Sequence, residues 1–297
     1  MSTDLAKPGL VKQLFVASRP ISWINTAYPF AAAYFLATGR VDVALVVGAL
    51  FFLVPYNLAM YGINDVFDYE SDLANPRKGG VEGAVLDRAM HRRTLLAAVG
   101  VCVPFVVVLV WLGAFEPWSW LVLVVSLFAV AAYSVPGLRF KEVPFLDSVT
   151  SSTHFVSPAV YGIALAGSQV TWPLVAVLSA FFFWGVASHA FGAVQDVVPD
   201  REGGIRSIAT VIGARWTVRF AIGAWILAGV LALLAPWPGR LAAVLALPYI
   251  AMAAPFWSVT DDASLTANSG WRKFIWVNYT VGFLVTLLLI WSAVARA

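Results

Sequence analysis

Two clusters of acidic residues draw attention because each follows a long apolar segment and each has helical spacing. The members are Asn64, Asp65, Asp68 and Asp72 in the first cluster, and Asp196 and Asp200 in the second. On a helix such spacings place side chains on one face. Carboxylates held so close repel one another, so a counter-cation is expected, and Mg²⁺ prefers oxygen ligands of this kind. The clusters therefore predict a divided metal and diphosphate site whose metal ligands are the five aspartates.

Basic residues near the clusters would supply the positive charge that a diphosphate requires. They are Arg77, Lys78, Arg139, Lys141, Arg201 and Arg206. We expect Lys78, Lys141 and Arg206 to be phosphate contacts. The alternative is that they are ordinary loop residues, because cytoplasmic loops generally retain Lys and Arg. That interpretation explains any single one of them equally well.

The composition indicates a protein embedded in a membrane. Of the 297 residues, 61% are hydrophobic and 12% are charged, whereas a soluble domain is about 45 to 50% apolar. A helix needs about 20 mainly apolar residues to cross the hydrocarbon core. The qualifying segments are 21–38, 43–63, 94–114, 118–135, 145–166, 172–194, 216–236, 240–258 and 274–294. We therefore predict an all-α integral membrane protein with nine transmembrane helices in one bundle.

The basic residues also predict how this bundle is oriented, because cytoplasmic loops retain Lys and Arg. Assigning alternate loops to opposite sides separates Arg40, Arg240 and Arg296 from every other Lys and Arg. The N-terminus and both acidic clusters are therefore expected on the cytoplasmic side of the plasma membrane. No cleavage pattern precedes the first span, so no removable signal peptide is expected.

The net charge of +3 is dispersed over these loops rather than gathered on one soluble face. This distribution favours the lipid bilayer and a diphosphate as partners and argues against nucleic acid. We expect one domain over residues 1–297, with a cytoplasmic N-terminal segment at 1–20 and active-site loops at 64–93 and 195–215.

The positions of the clusters suggest a duplicated architecture. The first cluster follows the second apolar span and the other follows the sixth, so two four-helix units plus a ninth helix would surround a central cavity. Small residues would permit close helix approach. They are Gly62, Gly162, Gly185 and Gly192, although ordinary membrane-helix glycines are an equally good interpretation.

Carboxylates at the mouth of an apolar cavity suit the departure of a diphosphate. Cations stabilise the charge that develops as its carbon–oxygen bond breaks. An allylic fragment would leave a delocalised carbocation, and a water-poor cavity would protect it until an electron-rich acceptor attacks.

The acidic motifs, together with Tyr133 and the basic pair Arg139 and Lys141, resemble the UbiA-type intramembrane prenyltransferases. The resemblance implies nine transmembrane helices and two aspartate-rich motifs that bind Mg²⁺ and a prenyl diphosphate over a lipid-open cavity. It further implies that Asn64 orients a phosphate or acceptor group. Tyr133 and Lys141 would correspond to the Tyr and Lys pair of the family.

Two further stretches, 18–30 and 75–84, resemble the carotenoid branch of this family, the lycopene elongases. This resemblance implies transfer of a dimethylallyl group from dimethylallyl diphosphate to an end of lycopene, in fifty-carbon carotenoid synthesis. Association with other carotenoid enzymes is an accompanying expectation.

Two alternatives stay open at the level of sequence. An aromatic acid or quinone precursor could be the acceptor in the same superfamily. A different class, the ion-coupled transporters, also uses carboxylates inside or at the mouth of a membrane bundle.

Overall fold

The computed structural model describes residues 9–74 and 86–295, and within these ranges every regular element is helical. In chain order the α-helices are α1 (Leu10–Ala17), α2 (Ile24–Thr38), α3 (Val43–Leu53), α4 (Pro55–Phe67), α5 (Tyr69–Ala74), α6 (His91–Leu112), α7 (Pro117–Ser134), α8 (Leu146–Leu165), α9 (Trp172–Ala193), α10 (Val197–Glu202), α11 (Ile208–Ala232), α12 (Leu247–Ala253) and α13 (Asn268–Val294). Short 3₁₀ segments join or extend them at Pro20–Ser22, Arg88–Met90, Phe140–Glu142, Val194–Asp196, Gly239–Ala246, Ala254–Phe256 and Ser264–Ala267.

Seven helical stretches in the described residues are long and apolar enough to cross a membrane. They are Val43–Phe67, Arg88–Leu112, Pro117–Ser134, Trp172–Glu202, Ile208–Ala232, Gly239–Phe256 and Ser264–Val294. Each overlaps one of the nine segments predicted from the sequence. The all-helical membrane architecture is therefore confirmed, whereas the count of nine is not.

The two remaining segments are helical but miss these criteria for different reasons. Helix α2 has 15 residues and follows a turn in which Arg19 adopts a left-handed conformation, with φ of 49°. Helix α8 has 20 residues but carries Asp147, His154 and several hydroxyl side chains. Membrane helices tolerate such polar groups where the groups face protein rather than lipid.

The chain divides into two compact units, Met1–Leu138 with Pro158–Gly167, and Arg139–Ser157 with Ser168–Ala297. The core of the first unit is aromatic. Phe30, Phe52 and Tyr161 are buried, with ring centroids 5.3 to 5.9 Å apart. Beside them, the buried Asn57 amide donates to the Thr26 hydroxyl at 2.7 Å, which satisfies a polar pair that would otherwise be costly inside an apolar core.

The second unit has its own core, in which Phe191, Trp225 and Tyr249 are buried and in ring contact. Helix α11 is interrupted at Gly213, where φ is 80° and ψ is 161°. Only glycine adopts such a φ without strain. The break leaves a short N-terminal turn in α11, next to the second acidic cluster in sequence.

Glycines permit close helix approach within each unit, as predicted. In the first unit, a Cβ on Gly162 would lie 2.8 Å from the Phe30 carbonyl oxygen, and one on Gly62 would lie 3.2 Å from Thr94. In the second unit, a Cβ on Gly185 would lie 3.2 Å from the Ser152 Cα. The contact at Gly162 is the least adjustable of these, because it is the shortest and the atom in the way belongs to the backbone of α2.

We expect Gly162→Ala to destabilise the protein because the added methyl group forces α8 away from α2. Overpacking of this kind costs about 1–3 kcal/mol. The measurement is the thermal unfolding midpoint of detergent-solubilised protein, which should fall by several degrees, about the shift that such an energy produces.

The matched control is Gly100→Ala in α6, where no atom lies within 4 Å of the added Cβ. This change should leave the midpoint unchanged or raise it, because alanine favours the helix. Equal midpoints for the two variants would show that the contact between α8 and α2 is not tight.

Candidate active site

The first acidic cluster lies where helix α4 ends. Asn64 and Asp65 occupy its last turn, and the backbone N–H of Asp68 donates to the Asn64 carbonyl at 2.9 Å. Asp68 has φ of −98° and ψ of 0°, outside the helical region, and Asp72 follows in α5. The single helical face expected from the sequence is therefore interrupted at Asp68.

The second cluster has the same local backbone in the other unit. A 3₁₀ turn, Val194–Asp196, extends α9, and Asp196 has φ of −99° and ψ of 1° before α10 begins. Helices α5 and α10 each have six residues, and Asp72 and Asp200 are the fourth residue of each. The pattern Asp-x-x-x-Asp thus starts at an equivalent break in both units.

The two breaks share one backbone conformation. Conformations near φ −90° and ψ 0° are sparsely populated and often carry active-site residues. In position relative to the break, Asp68 corresponds to Asp196, and Asp72 corresponds to Asp200.

Asp65 is neutralised by a specific cation. Its side chain has no exposed surface, and Arg19 Nη2 lies 2.6 Å from Asp65 Oδ1. The Arg19 guanidinium also covers the Tyr61 ring at 4.4 Å. A buried carboxylate requires such a partner, because its desolvation costs several kcal/mol.

Asn64 and Gln195 precede the aspartates and are held by polar contacts. Ser134 Oγ donates to Asn64 Oδ1 at 2.8 Å. Gln195 Oε1 accepts from Asn268 Nδ2, and Gln195 Nε2 donates to the Gly192 carbonyl at 3.0 Å. Both amide side chains are thus held in place next to the aspartates that follow them in sequence.

The predicted basic contacts have different environments. Arg139 forms an ion pair with Glu142, and this hydrogen bond lowers the pKa of the Glu142 carboxyl. Lys141 lies in the same 3₁₀ turn, in the second unit, whereas Tyr133 lies in the last turn of α7, in the first unit. Arg206 is exposed in the segment between α10 and α11. Arg77 and Lys78 lie outside the described residues.

Arg201 has structural partners that the sequence did not indicate. Its Nη1 atom lies 2.6 Å from Asp261 Oδ2, and its Nε and Nη2 atoms donate to the Thr210 carbonyl. Burial raises the pKa of Asp261, but hydrogen bonds from the Ala214 N–H and from Arg201 outweigh it and leave the pKa below its usual value. Asp261 is therefore ionised near neutral pH.

Asp147 is a further buried carboxylate with a structural role. Its Oδ1 accepts from the Ser148 N–H at 2.6 Å, and its Oδ2 accepts from the Ile208 N–H at 2.7 Å. It therefore caps the first turn of α11 from α8. Ser148 Oγ is in turn 3.1 Å from His189 Nδ1.

The chemistry of the donors fits Mg²⁺. Within residues 9–74 and 86–295, no three His, Cys, Asp or Glu side chains already form a metal cluster. Mg²⁺ does not require one, because it commonly binds through one or two carboxylates and completes its shell with water and substrate phosphates. Carboxylates such as Asp68 and Asp196, at helix ends, are suited to that role.

Sequence reasoning missed Arg19, Ser134, Asp261 and Asn268, whose partners lie 46 or more residues away in the chain. For Arg19 one signal was present. The stretch Ser18–Phe30 that resembles the carotenoid branch includes this arginine. Neither spacing nor charge pattern pointed to the other three.

Comparison with known proteins places these features in a family. The sequence model of the UbiA prenyltransferase family matches residues 26–279. The chain is 57% identical over 286 residues to the C(50) beta-cyclic carotenoids biosynthesis protein LbtBC of Dietzia sp. (strain CQ4), covering 96% of this chain and 66% of that protein. It is 50% identical over 280 residues to a lycopene elongase/hydratase of Corynebacterium glutamicum, covering 94% of this chain and 97% of the relative.

Solved structures share the fold at low identity. A UbiA homolog from Archaeoglobus fulgidus bound to GPP and Mg²⁺ has a TM-score of 0.63 at 17% identity, covering 91% of this chain and 99% of that one. A digeranylgeranylglyceryl phosphate synthase has a TM-score of 0.64 at 16% identity, covering 96% and 99%. With the family match over most of its length, this chain belongs to the UbiA prenyltransferase family.

Proposed function

We propose that this chain is a Mg²⁺-dependent membrane prenyltransferase that transfers a dimethylallyl group from its diphosphate to lycopene, in fifty-carbon carotenoid synthesis. The observation that carries the proposal is the repeated Asp-x-x-x-Asp motif, which begins at the same backbone break in both units. Carboxylates presented twice in this way suit a Mg²⁺-bound diphosphate.

The relatives support the choice of donor and acceptor. The proteins from Dietzia and Corynebacterium are named for carotenoid biosynthesis and lycopene elongation, and structural neighbours were solved with GPP, with DMAPP and with Mg²⁺. At 57% and 50% identity over nearly the whole chain, a shared acceptor class is the simplest inference. A homogentisate phytyltransferase, which represents the aromatic alternative, is 25% identical.

The proposed site assigns a role to each predicted residue. Asp65, Asp68, Asp72, Asp196 and Asp200 would hold Mg²⁺, which when bound neutralises the leaving diphosphate. The side-chain amide of Asn64, oriented by Ser134, would donate to a phosphate oxygen. The basic and phenolic groups proposed as diphosphate contacts are Arg77, Lys78, Tyr133, Arg139, Lys141 and Arg206.

The reaction then follows from charge balance. The carbon–oxygen bond of dimethylallyl diphosphate breaks, and its electron pair leaves with the diphosphate. A terminal double bond of lycopene supplies the pair that forms the new carbon–carbon bond, which leaves a tertiary cation on the acceptor. Loss of a proton or addition of water completes the product. Apolar side chains in the membrane interior would keep water away from the first cation.

We further propose the arrangement in the membrane. Positive charge concentrated near the acidic motifs favours a cytoplasmic N-terminus and cytoplasmic motifs in the plasma membrane. Helices α2 and α8 would complete a nine-helix bundle around a cavity within a single domain, residues 1–297. An ion-coupled transporter is disfavoured, because the carboxylates of both motifs lie toward the ends of their helical stretches rather than at the middle, where transporter sites usually lie.

Removal of a carboxylate charge from either aspartate motif should abolish turnover without affecting folding. We expect Asp68→Asn and Asp196→Asn each to reduce prenyl transfer by at least about a hundredfold, comparable with loss of a group that stabilises transition-state charge. Glu202→Gln, at an exposed position at the end of α10, is the matched control. Near-normal activity in both aspartate variants would contradict the proposed site.

Ligand binding should be visible without turnover. Mg²⁺ and dimethylallyl diphosphate together should raise the unfolding midpoint of the detergent-solubilised protein, because a ligand that binds only the folded state stabilises it. Chelation with EDTA should remove the effect, and renewed Mg²⁺ should restore it. Thermal stabilisation by cations that does not depend on the diphosphate would instead favour a transporter.

The acceptor is tested by product mass. Membranes containing the protein are incubated with dimethylallyl diphosphate, Mg²⁺ and lycopene, with homogentisate in a parallel reaction. We expect the lycopene product to gain one or two five-carbon units, with or without water. If product forms only in the homogentisate reaction, the proposed metal site stands, but lycopene is not the acceptor.

A further inference from the structure

Arg201 immediately follows Asp200, the last carboxylate of the second motif. Its guanidinium N–H groups nevertheless bond to other protein groups instead of serving a phosphate. Its Nη1 lies 2.6 Å from Asp261 Oδ2. Its Nε and Nη2 donate to the Thr210 carbonyl oxygen at 3.0 and 2.8 Å. Three donors of the guanidinium fork are thus used within the second unit.

Asp261 lies far along the chain, after the 3₁₀ segment that follows α12, and its second oxygen meets the interruption of α11. Asp261 Oδ1 accepts from the Ala214 N–H at 2.7 Å. Ala214 follows Gly213, where the backbone leaves the helical conformation for one residue. The carboxylate therefore caps the restarted helix, as a residue at a helix N-terminus usually does.

Gly213 is required for this arrangement on two counts. Its φ of 80° is strained for any residue with a side chain, and a Cβ there would lie 3.0 Å from Asp261 Oδ1. The interruption of α11 at Gly213 therefore leaves room for the Asp261 carboxylate. The same carboxylate contacts Arg201 at the end of α10.

A six-residue helix has little stability of its own. Helix α10 is therefore oriented by its attachments, and the fork of Arg201 attaches it to the start of α11. We propose that Asp261, acting through Arg201, is a positioning residue that sets the direction of Asp200 for the Mg²⁺–diphosphate. This inference rests on the proposed function.

The exposure of the pair makes the proposal testable. The side chains of Arg201 and Asp261 are 43% and 37% exposed. An ion pair so accessible to water contributes little to global stability. Its loss should therefore appear in ligand binding rather than in unfolding of the ligand-free protein.

The experiment compares Asp261→Asn, Arg201→Gln and the double variant with Asp262→Asn, which removes the same charge from the exposed neighbouring residue. For each we would measure the ligand-free unfolding midpoint and the half-saturating dimethylallyl diphosphate concentration, from thermal stabilisation and from turnover. The Asp261→Asn change retains a side-chain oxygen that can accept from the Ala214 N–H.

We expect both single variants to raise the half-saturating concentration about tenfold, equivalent to about 1.4 kcal/mol. Saturating turnover should be retained, because bound ligand restores the direction of Asp200. The double variant should be no worse than Arg201→Gln alone, since Arg201→Gln already removes the contact with Asp261. Asp262→Asn should behave like the unsubstituted protein.

Three outcomes would overturn the inference. In the first, Asp261→Asn matches Asp262→Asn. In the second, the double variant binds the diphosphate more weakly than Arg201→Gln alone, which would show that Asp261 does not act through Arg201. In the third, Asp261→Asn lowers the ligand-free midpoint without changing the half-saturating concentration, which would indicate a purely structural role. Failure of the proposed function has a separate signature, because the unsubstituted protein would then show no stabilisation by Mg²⁺ and dimethylallyl diphosphate.

Discussion

A carboxylate buried at the end of an apolar helix constrains everything around it. Asp65 has no exposed side-chain surface, and an ion in that setting must be neutralised and hydrogen-bonded. Arg19 meets this need, and to do so the chain between α1 and α2 adopts a left-handed turn and places the guanidinium on Tyr61. The N-terminal segment is thereby tied to the first acidic motif.

Carboxylates also organise the second unit, by accepting hydrogen bonds from the backbone. Asp147 and Asp261 are carboxylates whose oxygens accept backbone N–H groups in two parts of α11, at Ile208 and at Ala214. They hold the interrupted start of this helix, which follows the second motif in the chain. Asp147 and Asp261 thus have a structural role beside the second motif.

The helix breaks matter because metal-binding carboxylates and continuous helices have different requirements. An uninterrupted helix would direct Asp68 and Asp72 along one fixed face. At Asp68 the backbone has a φ of −98°, and a new six-residue helix follows. The same backbone conformation recurs at Asp196, which also precedes a six-residue helix.

Seven membrane helices, both aspartate motifs and the family could be predicted from the sequence because their signals are local. Apolar residues partition into the membrane nearly additively, and motif spacing needs no knowledge of packing. The pairs Arg19–Asp65 and Arg201–Asp261 could not be predicted, because they join residues 46 and 60 positions apart whose contact depends on helix packing. Packing also decided that α4 and α9 break at Asp68 and Asp196, where periodicity alone predicted continuous helical faces.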